Sequence, residues 1–456
     1  MELPNDFKER MQSLLGDQSE SFFSSLETPS PTSVRINQAK SKSLGLTPTH
    51  FKGNPVQWCN SGIYLSTRPV FTSDPIFHAG AYYVQEASSM FLQHLIASHL
   101  DDRPIKALDF CAAPGGKSTL LASALPIGSI LFSNEFVRSR SKILCENMIK
   151  WGNPNIVVTN NSSLDYSRSG LKFDMILCDV PCSGEGMFRK DPVSISEWSL
   201  DSVKHCCQRQ HDIILDMWNC LSPGGLFIYS TCTYNTDEDE KAASFIEEEL
   251  GGIALSLDVP SSWGIDIHNY LGRTTPVFRF FPHRTIGEGF FICAFRKPHS
   301  ESKNHLDHKR TKSKSYSKIS TEIKSWIRNS SGYTFRTISD GIIYAFASQH
   351  TDIIEQAFSC LKVIHSGVEI AHLKGKKYVP SHSLAMSNIL AIEHFPLVEV
   401  DTNTALSYLR CESLNFPDSP RGYLIVSYNG YPLGFVNNIG SRANNLYPSE
   451  WRIRHL

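Results

Sequence analysis

Five short apolar runs, separated by longer amphipathic stretches, restrict the fold of this 456-residue chain more than any other feature. The runs lie at residues 107–110, 130–132, 156–158, 175–178 and 226–229. Each is long enough for a buried strand and too short for a helix. The stretches between them, at 120–125, 139–150 and 203–220, place apolar residues at helical spacing. That rhythm predicts β-α-β units around a mostly parallel sheet, a Rossmann-like α/β core of seven strands. Residues 290–295 supply a further strand.

Outside this core the pattern changes. Residues 1–80 read as an N-terminal extension, with a short helical pattern followed by loops rich in Pro, Thr and Ser. Apolar residues at 82–100 recur at helical spacing, and the catalytic core is expected over 81–297. Residues 297–318 carry seven Lys or Arg against two acids, which predicts a solvated linker over 298–324. From 325 to 456 a second folded unit is expected, α+β in class.

Composition excludes several function classes. No run of eighteen apolar residues exists, so a membrane span is not expected. The polar start lacks the apolar segment of a secretory signal. The 12 cysteines show no C-x-x-C spacing, which argues against a zinc site and a disulfide framework. Reduced thiols and a cytoplasmic setting fit better. The formal charge of −1 means that any nucleic-acid surface must come from local patches.

The first run leads straight into Cys111, Ala112, Ala113, Pro114, Gly115, Gly116 and Lys117. Small residues let the backbone approach a ligand, and the helix that follows offers free amides to an anionic group. Glu135 follows the next run, 19 residues beyond Gly116, where a dinucleotide-type fold places the acid that binds ribose hydroxyls. Gly116-Lys117-Ser118 also resembles the end of a P-loop, but Cys111 stands where that pattern requires glycine. A tight turn without a ligand is the plainer alternative.

Two later runs each deliver a cysteine to the same end of the sheet: Asp179-Val-Pro-Cys182 and Ser230-Thr-Cys232. In an open α/β sheet, ligands bind beyond the carboxyl ends of the strands. A lone cysteine is usually a small buried apolar group, the reading given to Cys145, Cys220 and Cys293. Two cysteines in strand-end loops suit covalent catalysis. Asp179 reads as an acid or as a turn cap. Arg189 and Lys190 read as a positive charge for an RNA phosphate or a thiolate, or as a solvated basic pair.

The strings DFCAAPGGKST, DVPCSGEGMFRKDP, YSTCTYN and HRTIGEGFF together resemble the Sun/Fmu family of RNA cytosine-5 methyltransferases. The set is similar to its RsmF-type members, which modify small-subunit ribosomal RNA. The resemblance implies S-adenosylmethionine as cofactor, bound by residues 111–117, Glu135 and Asp179. It implies Cys232 as nucleophile and Cys182 in product release, with Asp179 near ring nitrogen 3 of the cytosine. The family usually has an aspartate after the third strand, and Asn161 or Ser162 stands there in this chain. Residues 325–456 resemble the family's PUA-like RNA-binding domain, with Lys374, Lys376 and Lys377 as a basic cluster. Asn437 and Asn444 occupy positions where basic residues are usual. The implied partner is small-subunit ribosomal RNA, with transfer RNA or a catalytically weak assembly factor as alternatives. A monomer with no metal is expected.

Overall fold

A computed structural model describes residues 2–47, 51–299, 319–338, 341–375 and 377–454. The chain opens with helices Asn5–Leu15 and Ser19–Leu26. Phe7, Met11 and Leu15, spaced four apart, line one buried stripe of the first helix. They pack with Phe22 and Leu26 against Phe188, Trp198 and Tyr234, beside the two cysteine loops.

A four-stranded sheet follows, built from β1 (Thr32–Ile36), β2 (Gly53–Val56), β3 (Cys59–Leu65) and β4 (Tyr82–Val84), in the order β2-β3-β1-β4. Loops were expected over the first three, and helical spacing over the fourth. The apolar residues of 82–84 instead complete an antiparallel ladder with β1, pairing Val84 with Val34. The helix begins only at Phe91 and runs to His99.

The core strands are β5 (Lys106–Asp109), β6 (Ile130–Asn134), β7 (Ile156–Thr159), β8 (Phe173–Asp179) and β9 (Leu221–Thr231). They lie parallel in the order β9-β8-β5-β6-β7. Antiparallel β10 (Ile253–Ala254), β11 (Phe278–Phe280) and β12 (Phe290–Arg296) extend the sheet beyond β9. Side chains alternate between faces with the period of a strand. Ala107, Leu131, Val158, Leu177 and Ile228 pack under helices Gly116–Ala124 and Arg138–Trp151. Leu108, Phe132, Val157, Ile176 and Phe227 face helix Leu200–Cys220. Burial on both faces explains why these runs are continuously apolar.

The sheet has nine strands among the described residues, not the seven expected. One of them comes from the C-terminal region. Val363–Ser366 pairs antiparallel with the outer edge of β7. Phe346, Ile353, Ile354, Ala357 and Leu361 of the same region complete the apolar layer on that face. A parallel edge strand presents unpaired backbone groups, and this added strand satisfies them.

The remaining C-terminal residues form two sheets. One pairs Tyr333–Thr337, Ile342–Ala347, Val368–Lys374 and Lys377–Pro380. The other joins Leu397–Glu399, Gly422–Tyr428, Tyr431–Asn438 and Ala443–Asn445. Leu424, Val426, Leu433 and Val436 of the latter share an apolar cluster with Val34, Ile36 and Tyr82 of the N-terminal sheet. No helix among the described residues is long and apolar enough to cross a membrane.

Candidate active site

β5 and β8 are neighbours, yet the chain leaves β5 toward β6 on one side and β8 toward β9 on the other. This reversal opens a crevice beyond their carboxyl ends. The loop of residues 111–115 crosses it and is held at several points. The Ala112 N–H donates to Asn134 O at 2.8 Å. Arg140 donates to Ala113 O and Asn147 to Pro114 O, both at 2.8 Å. Gly115 has φ +119°, which an L side chain adopts only under strain, and a Cβ there would stand 3.4 Å from the Cβ of Asn147. Helix Gly116–Ala124 then starts with its first amides facing the crevice end, which suits a negatively charged group.

Two acids flank this loop. Glu135 directly follows β6, is buried, and accepts the Val137 N–H at 2.8 Å. Asp109 ends β5 and was not singled out from sequence, because a carboxylate inside an apolar run carries no pattern of its own. Ser118 donates to one of its oxygens at 2.7 Å, while the other is buried without a partner. Burial outweighs the Ser118 bond and pushes its pKa up to about 7. An orphaned acceptor, free helix amides and a ribose-type acid around one glycine turn fit S-adenosylmethionine, whose ends are cationic, anionic and hydroxylated.

β8 ends at Asp179 and β9 at Thr231, so their loops meet over the crevice. The sulfurs of Cys182 and Cys232 are 3.2 Å apart, and both cysteines are free thiols. Lys117 Nζ donates to Asp179 at 2.8 Å, and Ser230 Oγ donates to the other Asp179 oxygen at 2.8 Å. Burial alone lowers the Lys117 pKa, but the charge and hydrogen bond of Asp179, with Cys232 nearby, leave it above its usual value. Lys117 is therefore a fixed positive charge beside the thiols. The Cys182 pKa is raised well above that of an ordinary thiol, first by its hydrogen bond to Cys232 and then by burial. Cys111 is raised by burial and the charge of Asp109, so it stays a thiol.

Two further buried carboxylates hold the cysteine loops together. Glu185 accepts from Thr233 Oγ1 at 2.6 Å and from the Tyr234 N–H at 2.9 Å. Glu238 accepts from the Ser183 N–H at 3.0 Å, Gln210 at 2.7 Å and Asn235 at 2.8 Å. The loops approach so closely at Gly186 that a Cβ would lie 2.8 Å from Cys232 O.

Comparison with known proteins supplies the family. Residues 95–296 match the family described as 16S rRNA methyltransferase RsmB/F. Residues 3–87 match the N-terminal domain of 16S rRNA methyltransferase RsmF, and residues 395–453 the methyltransferase RsmF PUA domain. The chain belongs to the RsmB/F methyltransferase family. Relatives named ribosomal RNA small subunit methyltransferase F include that of Erwinia tasmaniensis, 28% identical over 98% of this chain and 96% of its own. That of Pectobacterium atrosepticum is 29% identical over 98% and 95%. Among solved structures, a methyltransferase homolog from Pyrococcus horikoshii superposes with a TM-score of 0.54 at 27% identity, covering 64% of this chain and 95% of its own. NSun6 from the same organism, determined with SFG, gives 0.52 at 19%, covering 65% and 99%, a likeness of fold.

As an RsmB/F methyltransferase the protein depends on S-adenosylmethionine, and several residues expected at its ligands are already engaged by other parts of the fold. Asn161 does not face the crevice with a free amide. Its Oδ1 accepts the Lys362 N–H at 2.9 Å and its Nδ2 donates to Lys362 O at 3.2 Å. Ser162 caps helix Ser163–Ser169 in a reciprocal pair with Asp165. Arg189, expected near RNA, is held inside the protein. It pairs with Glu288 at 3.0 Å and donates to Gly287 O and Ser25 O. Lys190 is exposed, 3.8 Å from Glu288. Lys374 and Lys377 are exposed and face each other across a hairpin, and Lys376 lies outside the described residues. Asn437 and Asn444 are direct cross-strand partners.

Proposed function

We propose that this RsmB/F methyltransferase methylates carbon 5 of a cytosine in small-subunit ribosomal RNA, with Cys232 as the nucleophile. The observation that carries the reading is the pair of free thiols 3.2 Å apart beside the Lys117–Asp179 ion pair. The ribosomal substrate rests on the names of relatives that align over nearly the whole chain. A ribosomal RNA substrate supports a cytoplasmic setting.

Carbon 5 of cytosine is a weak nucleophile. Cys232, as thiolate, forms a bond to carbon 6, and the displaced electron pair makes carbon 5 enamine-like. Lys117 keeps positive charge beside the attacking sulfur, and the Asp179 carboxylate accepts a hydrogen bond from ring nitrogen 3 once that nitrogen takes a proton from solvent as charge builds on the ring. S-adenosylmethionine supplies an electrophilic methyl group on a sulfonium. Once Cys232 is bonded to carbon, it no longer presents negative charge to Cys182. Its hydrogen bond with Cys182, the largest cause of the raised Cys182 pKa, is then gone, while burial still raises it. Cys182, after giving its own proton to solvent, takes the carbon 5 proton as thiolate; the C–H electron pair restores the carbon 5–carbon 6 double bond, and the carbon–sulfur bond breaks with its electrons returning to Cys232. The C-terminal lysines supply phosphate contacts, which weaken with salt.

Bisulfite sequencing of total RNA from cells with and without the gene tests both reaction and substrate. A protected cytosine in small-subunit ribosomal RNA that disappears with the gene is expected. Loss of protection only in transfer RNA would overturn the ribosomal assignment, and no loss anywhere would overturn the reaction.

A further inference from the structure

The geometry points to a clamp, made by Asn160, Asn161 and Lys362, through which the C-terminal region positions the cofactor-binding edge of the catalytic core. This inference rests on the cofactor placement proposed above.

Asn160 and Asn161 follow β7, and Asn161 or Ser162 stands where the family usually carries an acid. In this chain both are bound to one residue two hundred positions away. The Asn160 N–H donates to Lys362 O at 3.1 Å. The Asn161 amide takes both the N–H and the carbonyl of Lys362, as a strand partner does. Lys362 Nζ then returns to Asn160 Oδ1 at 2.8 Å. That bond orients the Asn160 amide, whose Nδ2 donates to Glu135 O at 2.8 Å and Phe136 O at 2.7 Å. Glu135 is the acid placed for the ribose. The chain of bonds therefore runs from Lys362 to the backbone of the cofactor's own ligand.

The surroundings make the clamp stiff. Asn161 is 6% exposed, and its N–H is also held by Asn134 Oδ1 at 3.0 Å. Asn134 donates to Phe110 O and Asn161 O, tying β5, β6 and β7 together at their carboxyl ends. Val363–Ser366 continues directly from Lys362 as the strand paired to β7. Lys362 and Asn160 touch neither thiol, so they act on cofactor binding through Glu135. They are positioning residues.

An Asp at 161 separates this role from direct contact. Asn161→Asp restores a family-like acid, yet sets a carboxylate oxygen against the Lys362 carbonyl. The probe is S-adenosylhomocysteine, titrated calorimetrically into the full-length protein. The clamp requires weaker binding, on the order of tenfold, the worth of about one lost buried hydrogen bond. Binding as tight as in the unaltered protein, or tighter, would mean that residue 161 contacts the cofactor directly, and would overturn the clamp.

Asn160→Ala is expected to raise KM for S-adenosylmethionine while kcat at saturating cofactor is retained. An unchanged KM overturns the proposal. Lys362→Met removes only an exposed ammonium and leaves all three backbone bonds, so it decides the matter should the Asn161 variant not fold. It is expected to weaken S-adenosylhomocysteine binding, with Lys362→Arg restoring it; equal binding by Lys362→Met and the unaltered protein overturns the clamp. Failure of the unaltered protein itself to bind S-adenosylhomocysteine would instead sink the cofactor placement.

Discussion

Glu238 accepts the N–H of Ser183 at 3.0 Å, so an acid beyond the Cys232 loop fixes the loop that carries Cys182. The spacing of the two sulfurs depends on this buried carboxylate. Its pKa is raised by burial, and hydrogen bonds from Ser183 and Asn235 partly offset that effect. Glu238→Ala would strand the Ser183 N–H and take one acceptor each from the amides of Gln210 and Asn235. The expected cost is about 2–4 kcal/mol of stability, read by denaturant unfolding, together with lost methyl transfer. A variant as stable as the parent would show that water replaces the carboxylate.

The two thiols are expected to fail differently. Cys232→Ala abolishes methyl transfer while S-adenosylhomocysteine still binds, because the cofactor loop lies on β5. Cys182→Ala accumulates a protein–RNA adduct that resists denaturant on a gel. Loss of activity without that band would remove Cys182 from the release step.

Asp179 and Lys117 are expected to act as one unit. In Asp179→Asn, burial of Lys117 is no longer opposed by its carboxylate, so the ammonium pKa falls. Methyl transfer should drop by about 100-fold or more, as for other positioned proton-transfer groups. Its pH profile should also change, since Lys117 loses charge at lower pH than before. An unaltered profile would separate the two residues.

Removing the chain from 325 onward is expected to damage the catalytic core, beyond any effect on RNA binding. The cut strips Val363–Ser366 from β7 and uncovers the face where Ile353, Ile354 and Leu361 pack. Each large apolar side chain contributes about 1.5–3 kcal/mol when buried. Soluble yield and thermal unfolding of the truncated protein test this. A soluble core with the parent melting temperature would count against it.

Acid should loosen the junction between the N-terminal and C-terminal sheets. Burial lowers His382 to about 3 and His78 to about 4, with the charge of Lys150 adding to both and that of Lys40 to His382. Between the usual histidine value of 6.5 and these lowered values, the unfolded chain binds more protons than the folded one. Stability therefore rises with pH across that window and is lost on acidification. At pH 5 the loss is roughly 2 kcal/mol per ring. His382→Phe, against the rings of Tyr447 and Trp451, should flatten the pH dependence of urea unfolding. A slope as steep as the parent's would assign the acid sensitivity elsewhere.

The parallel core was legible because strands buried on both faces must be apolar throughout, as residues 130–132 and 156–158 are. The 32–65 strands were not legible. Their sheet sets a fully buried strand, Thr32–Ile36, beside a mostly exposed one, Gly53–Val56, and is interrupted by Pro, Ser and Asn, so composition suggested loops. Arg189 was misplaced for a related reason. A basic residue in a loop looks solvated until its partner, Glu288, is brought in from nearly a hundred residues away.

What this sequence settled alone was the chemistry on offer: a glycine turn after a strand, an acid after the next, and two strand-end cysteines. Local spacing is enough for these, because backbone conformation and strand ends are set by neighbouring residues. Only the tertiary structure decided which groups remain free to act. Asn161 and Arg189 are satisfied by distant partners, while Asp109 keeps an open oxygen. Hydrogen bonding saturates, so a polar side chain's role depends on whether remote parts of the fold have already claimed it.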